Sequence, residues 1–209
     1  MSNPNSQAVS RAQSRSRTHA LTVTAMLSAV AFVLMFIEMP IPALIPSFVK
    51  LDISDLPELL AAFALGPVYG VAVAFLKNLL HIVIKGTSSA YVGELFNFIM
   101  GAVLAFTAGT IYRRKKTRTN AILASVAASV LMGLMSVPLN YFVVYPAYVV
   151  CYHLPMPAII GMYQAILPSV NGLLDCLLIF NMPFTIFKGL LDVVLCFLIY
   201  KPLSPLLHR

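Results

Sequence analysis

Several stretches of the chain run for about 15–25 residues with few charges and no alternation of polar and apolar positions. That pattern leaves few folds open. A bilayer contains no water to satisfy stray backbone groups, so only helices and closed barrels span it. The missing period-two alternation favours helices over a barrel. Composition agrees: of 209 residues, 60% are hydrophobic and 10% charged, where a soluble domain carries about 25% charge. The chain is expected to be an all-α integral membrane protein with six transmembrane helices. A net charge of +7 would otherwise suggest nucleic acid. However, ten of the fourteen Lys and Arg sit at three places flanking apolar segments, which marks membrane topology and excludes a nucleic-acid partner.

Residues 1–18 are rich in Ser, Asn, Gln and Arg and read as a disordered basic cytoplasmic tail. Residues 19–209 read as a single six-helix membrane domain. The first helix covers about 20–37, and the prolines at 40, 42 and 46 turn 38–53 into a re-entrant or surface loop. Asp55 and Glu58 have the spacing of a capping box that opens a short second helix over about 55–65. Further helices are expected over about 68–85, 91–112, 119–143 and 181–200. The segment 145–180, which contains no Lys or Arg, forms a long connection with room for a short helix. Arg11, Arg15 and Arg17, the run Arg113–Arg118, and Lys201 with Arg209 place both termini in the cytoplasm. Of the three cysteines, Cys151 and Cys176 are close enough to the outer side for a disulfide, but packing roles are favoured.

With that orientation the intramembrane polar residues collect in the outer half. Asn181, Thr185 and Lys188 share one face of the last helix. Glu94 and Asn97 lie in the fourth helix, Asn140 in the fifth, and Lys77 and Asn78 in the third. An intramembrane lysine costs about 2.5–3.5 kcal/mol on insertion scales and marks a functional site by default. The implied feature is a polar pocket open to the extracellular side. Each residue also has a plainer role: the asparagines as interhelical glue, Lys77 snorkelling to the interface, and Lys188 paired with Asp192 or Glu94. Asn side chains offer paired donors and acceptors, and Phe48, Tyr141, Tyr145 and Phe184 offer apolar walls. These point to a small, planar, largely uncharged ligand. His81 and His153 lack ligand spacing, so no metal is expected.

The chain lacks a phosphate loop, an H-E-x-x-H motif and a paired acid and His set, so it is not expected to be an enzyme. A pocket without an engine calls for an energising partner. Ala25 and Ala29 form a small-xxx-small face on the first helix, with Thr24 and Ser28 as a second pair, suited to close approach by another helix.

Several motifs resemble one family. They are Val49-Lys-Leu-Asp-Ile-Ser-Asp-Leu-Pro57, Gly66-Pro-Val, Phe75-Leu-Lys-Asn-Leu-Leu80, Gly93-Glu-Leu-Phe-Asn-Phe98, Leu139-Asn-Tyr-Phe142 and Pro183-Phe-Thr-Ile-Phe-Lys-Gly189. Over about residues 20–203 the chain resembles the S components, the substrate-binding subunits of energy-coupling factor vitamin transporters, and among them the riboflavin-specific ones. The resemblance implies riboflavin as transported ligand rather than cofactor. It also implies a transmembrane coupling subunit and two ATP-binding cassette ATPase subunits as partners, with ATP hydrolysis confined to those partners. Leu51 and Asp52 fall in the loop that closes over the ligand. Asn97, Asn140 and Lys188 fall at vitamin-contacting positions, with Glu94, Tyr141, Phe184 and Thr185 beside them. Thr185 stands where family members often carry Asn, and loses one donor. The alternatives are another vitamin (thiamine, folate or a pantothenate-like molecule) or a small membrane protein that transports nothing.

Overall fold

Proline and glycine set where the helices stop. In a computed structural model, which describes residues 4–207 except residue 88, α1 runs Pro4–Met35 and ends ahead of Pro40. It therefore begins well before the expected start near residue 20, because Pro4 suits a first helical turn and no proline or glycine follows until Pro40. Two short strands, β1 (Met39–Pro40) and β2 (Lys50–Leu51), pair antiparallel with Met39 opposite Leu51 and close the first loop upon itself.

Helix α2 (Leu56–Ala64) has only 9 residues, about 13.5 Å at 1.5 Å per residue, against a hydrocarbon core of about 30 Å. It is a buried internal helix, with eight of its nine residues enclosed. Glycine makes the slot. A Cβ at Gly70 would stand 2.8 Å from the Glu58 carbonyl, and one at Gly101 would collide with the Glu58 carboxyl. Gly66, at φ +121°, turns the chain sharply into α3 (Pro67–Lys85), which opens on Pro67. Then follow α4 (Val92–Arg114), α5 (Arg118–Leu139), α6 (Tyr145–Tyr152), α7 (Met156–Gln164), α8 (Leu173–Cys176) and α9 (Met182–Leu207).

Among the described residues, five helical stretches are long and apolar enough to cross a membrane: Arg17–Met35, Pro67–Lys85, Val92–Arg114, Arg118–Tyr152 and Leu173–Tyr200. The fourth and last stretches run further into the expected 145–180 connection than the sequence suggested, which leaves only 153–172 outside them, with α7 inside that segment. Pro146 lies in that expected connection and Pro183 in the first turn of the expected last helix. π-helical turns at Asn140–Val144 and Leu177–Asn181 each precede one of these prolines by two residues. A proline ring clashes with the carbonyl four residues back. In both cases that carbonyl (Phe142, Ile179) lies in the widened turn, so the helix continues through.

Two apolar cores result. The larger joins α1–α5 and α9 around Leu59, Leu60, Leu104 and Met132. The smaller gathers Ile45 of the first loop with Tyr145, Ile159, Tyr163 and Leu177. The cysteines are all free, Cys176 and Cys196 buried and Cys151 exposed.

Candidate functional site

A cavity of ≈ 600 Å³ lies between the two cores, within the about 300–1,000 Å³ usual for small-ligand sites. It sits at one end of the bundle. The C-terminal ends of α1, α3 and α6 meet the N-terminal ends of α4 and α9 there, under the first loop and α7. The turn Arg113–Arg118 lies at the opposite end.

The wall brings together most of the residues singled out from sequence. Asp52, Glu94, Asn97, Asn140, Phe184, Thr185 and Lys188 all line it. Leu51 and Tyr141 do not; Tyr141 is 40% exposed and packs edge-on against Phe142. Asn97 holds a buried carbonyl oxygen without a hydrogen-bond partner. Asn140 donates through Nδ2 to the Ser136 carbonyl at 2.9 Å, so its oxygen is the group not committed to the helix. Glu94 accepts from the Thr87 and Ser89 hydroxyls at 3.0 and 2.7 Å, and its other oxygen is 3.4 Å from His81 Nδ1.

Lys188 is paired with neither Asp192 nor Glu94. Its Nζ is 3.0 Å from both Asp52 and Asp55. Helical spacing favoured Asp192, but α2 delivers Asp55 against the side chain first. Lys77 does not snorkel. It is fully buried, 2.5 Å from Asp55, 2.6 Å from Glu58 and 2.8 Å from the Ser54 hydroxyl. Asp55 stands at the N-cap position of α2 without making a capping hydrogen bond, because its carboxylate is held by the two lysines. The expected capping box is therefore an ion-pair relay from Asp52 through Lys188 and Asp55 to Lys77 and Glu58. Ser54 steadies it, donating from backbone N at 2.9 Å and hydroxyl at 2.5 Å to Asp52.

Of the remaining wall, Asn181, Phe48 and Tyr145 were singled out from sequence, and Glu38, Lys50, Lys85 and Tyr148 were not. At the mouth, Glu38 binds Lys50 at 2.5 Å and Lys85 at 3.4 Å. Partial burial raises the Glu38 carboxyl, but the two ammonium groups outweigh this and hold it below its usual range. On the far side, Asn181 takes part in a closed ring: Tyr163 donates to its oxygen at 2.7 Å, its amide donates to Tyr145 at 3.0 Å, and the two tyrosine hydroxyls bond each other. Asn181 is thus committed to tying α7 onto the last helix. Burial first, and then the Tyr145 hydroxyl, push the Tyr163 phenol up, which keeps it a neutral donor. Phe48 of the first loop reaches Tyr145, Tyr148 and Tyr163 edge-on, with centroids 6.2–6.4 Å away. Phe48 and Tyr145 were expected as walls; for Tyr148 and Tyr163 the aromatic content of the segment was the only sequence signal. Replacing Tyr163 with Phe strands the Asn181 oxygen and should cost about 1–3 kcal/mol, read as a lowered Tm of the detergent-solubilised protein. An unchanged Tm would refute the role of the ring.

The fold and cavity define a multi-pass membrane protein with a ligand chamber under a folded-over loop. Comparison with known proteins narrows that class. Residues 19–200 match the family of the ECF transporter, substrate-specific component, and the chain belongs to that family. It is 36% identical over 165 residues to riboflavin transporter RibU of Staphylococcus aureus (strain TCH60), covering 79% of this chain and 80% of that one. It is 30% identical over 170 residues to riboflavin transporter FmnP of Bacillus subtilis (strain 168), covering 79% and 82%. A solved structure, described as the S component of a bacterial ECF transporter, superposes with TM-score 0.71 at 36% identity, over 92% of this chain and 99% of that one. The protein is a multi-pass cell-membrane transporter component.

Proposed function

We propose that the chain is the riboflavin-binding subunit of an ATP-driven energy-coupling factor uptake system. The observation that carries this is the Asn97, Asn140 and Lys188 side of the chamber. It offers an unpartnered carbonyl oxygen, an uncommitted amide oxygen and an ammonium group around a space of ligand size. Riboflavin presents a planar ring edged with carbonyls and an imide N–H, and a chain of hydroxyls. The uncommitted oxygens suit its donors, Lys188 suits a ring or hydroxyl oxygen, and Phe184 gives apolar contact, with Asp52 and Thr185 at the rim. Similarity to proteins named riboflavin transporters supports the same ligand. Riboflavin is cargo, and no cofactor is proposed.

The orientation follows from charge. Arg113, Arg114, Lys115, Lys116 and Arg118 are exposed at the end opposite the cavity, so the positive-inside rule turns the cavity outward and both termini inward. In this reading α2 counts as a sixth, half-length membrane segment completed by the first loop. The energising partners are a transmembrane coupling subunit and two ATPase subunits, which alone hydrolyse ATP. Purified protein should be yellow after growth in rich medium and should quench added riboflavin fluorescence at micromolar levels. A colourless protein without quenching would exclude the assignment.

Ala25 and Ala29 are exposed on α1, whereas Thr24 and Ser28 are buried and bond the carbonyls four residues back. The alanine pair is thus the face available to a partner helix. The double variant Ala25→Leu, Ala29→Leu should bind riboflavin normally yet lose uptake in cells that carry the coupling subunits. Full uptake would remove this face from the docking surface.

A further inference from the structure

Beside the cavity lies a buried group of six ionisable side chains: Asp52, Asp55, Glu58, Lys77, Lys188 and Asp192. Four carboxyls face two ammonium groups. Full ionisation would leave two uncompensated negative charges away from water, at several kcal/mol per ion even after relaxation. Without a ligand, water at the cavity edge beside Asp52 and Lys188 screens part of that charge and protons supply the rest; no group of His, Cys, Asp or Glu among the described residues could hold a metal.

Geometry shows which carboxyls are left over. Each Asp55 oxygen meets a lysine. Asp52 is held by Ser54 and Lys188. Glu58 is 2.6 Å from Lys77 through one oxygen, but neither of its oxygens makes a hydrogen bond. Asp192 is 0% exposed and neither of its oxygens has a partner. It stands one turn beyond Lys188 on the same face of α9. Around it, the start of α2 contributes Asp55, and α9 itself contributes Lys188 and Cys196. The first loop brings Asp52 and α3 brings Lys77. The buried face of α5 carries serines but no titratable group.

We propose that Asp192 is a proton-binding site linked to ligand occupancy, taking up a proton from solvent when a neutral ligand fills the cavity beside Lys188. Asp52 and Lys188 are the members of the group that line the cavity, and their side chains keep 9% and 12% exposure. A bound ligand displaces the water at that edge. The medium around an already anionic group then screens less, and neutral Asp192 is favoured over its carboxylate. The reaction is carboxylate plus proton giving carboxylic acid, with no other bond made or broken. Affinity therefore rises as pH falls.

The readout rests on riboflavin as ligand. Calorimetric titration with riboflavin near neutral pH, in phosphate and in Tris, gives the number of protons exchanged from the difference in heat. Wild type should take up a fraction of a proton, and Asp192→Asn should bind riboflavin with that uptake abolished. His81 and Glu94 also face the cavity, so His81→Gln measures what the mouth contributes. Equal heats in the two buffers, proton release, or the same uptake in Asp192→Asn would overturn the proposal. Absence of any riboflavin binding by wild type would instead sink the functional assignment. Should Asp192→Asn fail to fold, infrared difference spectra of wild type labelled with ¹³C-aspartate should show a protonated-acid carbonyl band growing on riboflavin addition. Its absence would be equally fatal.

Discussion

Lys77→Met should destabilise the protein by about 3–5 kcal/mol, the penalty for leaving a buried charge without its partner. Lys77 is fully buried and touches Asp55, Glu58 and Ser54, so its loss strands Glu58 inside the bundle and leaves Asp55 with Lys188 alone. The helix carrying Glu58, α2, has no lipid-facing surface to which it could swing. The expected phenotype is low membrane yield and a Tm too low for purification. Adding Glu58→Gln removes the stranded charge and should recover part of the loss. A double-mutant cycle read by thermal unfolding in detergent measures that coupling, which should be 0.5 kcal/mol or more for groups sharing one network, about that size being the threshold of note. If Lys77→Met alone behaves like wild type, the buried network contributes nothing to stability.

Lys188→Met combines two effects. It strips Asp52 and Asp55 of an ion pair at 3.0 Å each, and it removes the ammonium group from the cavity wall. Loss of one charged hydrogen bond to ligand is worth about 1.5–3 kcal/mol, so riboflavin affinity should fall roughly 10- to 150-fold, read by fluorescence quenching. Asp52→Asn keeps the lysine and so separates the contributions. It should lower stability less than Lys188→Met does and leave most of the affinity intact. Undiminished affinity in Lys188→Met would remove this residue from the proposed ligand contacts.

The membrane class and the polar face of the last helix were legible because both are local. Insertion energetics mark a helix from a single stretch, and a period of 3.6 aligns Asn181, Thr185 and Lys188 without knowledge of the neighbours. The partners of Lys188 and Lys77 were not legible. Asp52 lies 136 residues from Lys188, and spacing along one helix pointed instead to Asp192. The half-length of α2 was visible, yet its burial on all sides depends on Gly70 and Gly101 in two other helices. Nor did the proline at 146 signal continued helix, since propensity penalises it and says nothing of a wider turn beneath.

Each of the two π turns inserts one residue into a helix, which advances its faces by about 100°. The first occurs where α5 leaves the larger core and reaches the chamber; the second lies at the outer end of α9, beyond Phe184, Thr185 and Lys188 of the chamber wall. In α5 the chamber residues Asn140, Val144, Tyr145 and Tyr148 lie at or above the insertion, while the buried face below it answers mainly to helix packing. The two halves of α5 are thereby out of phase and free of one another's constraints. New linings can be written into the upper half by substitution while the lower half keeps its packing, which makes the bundle a socket whose contents are exchangeable.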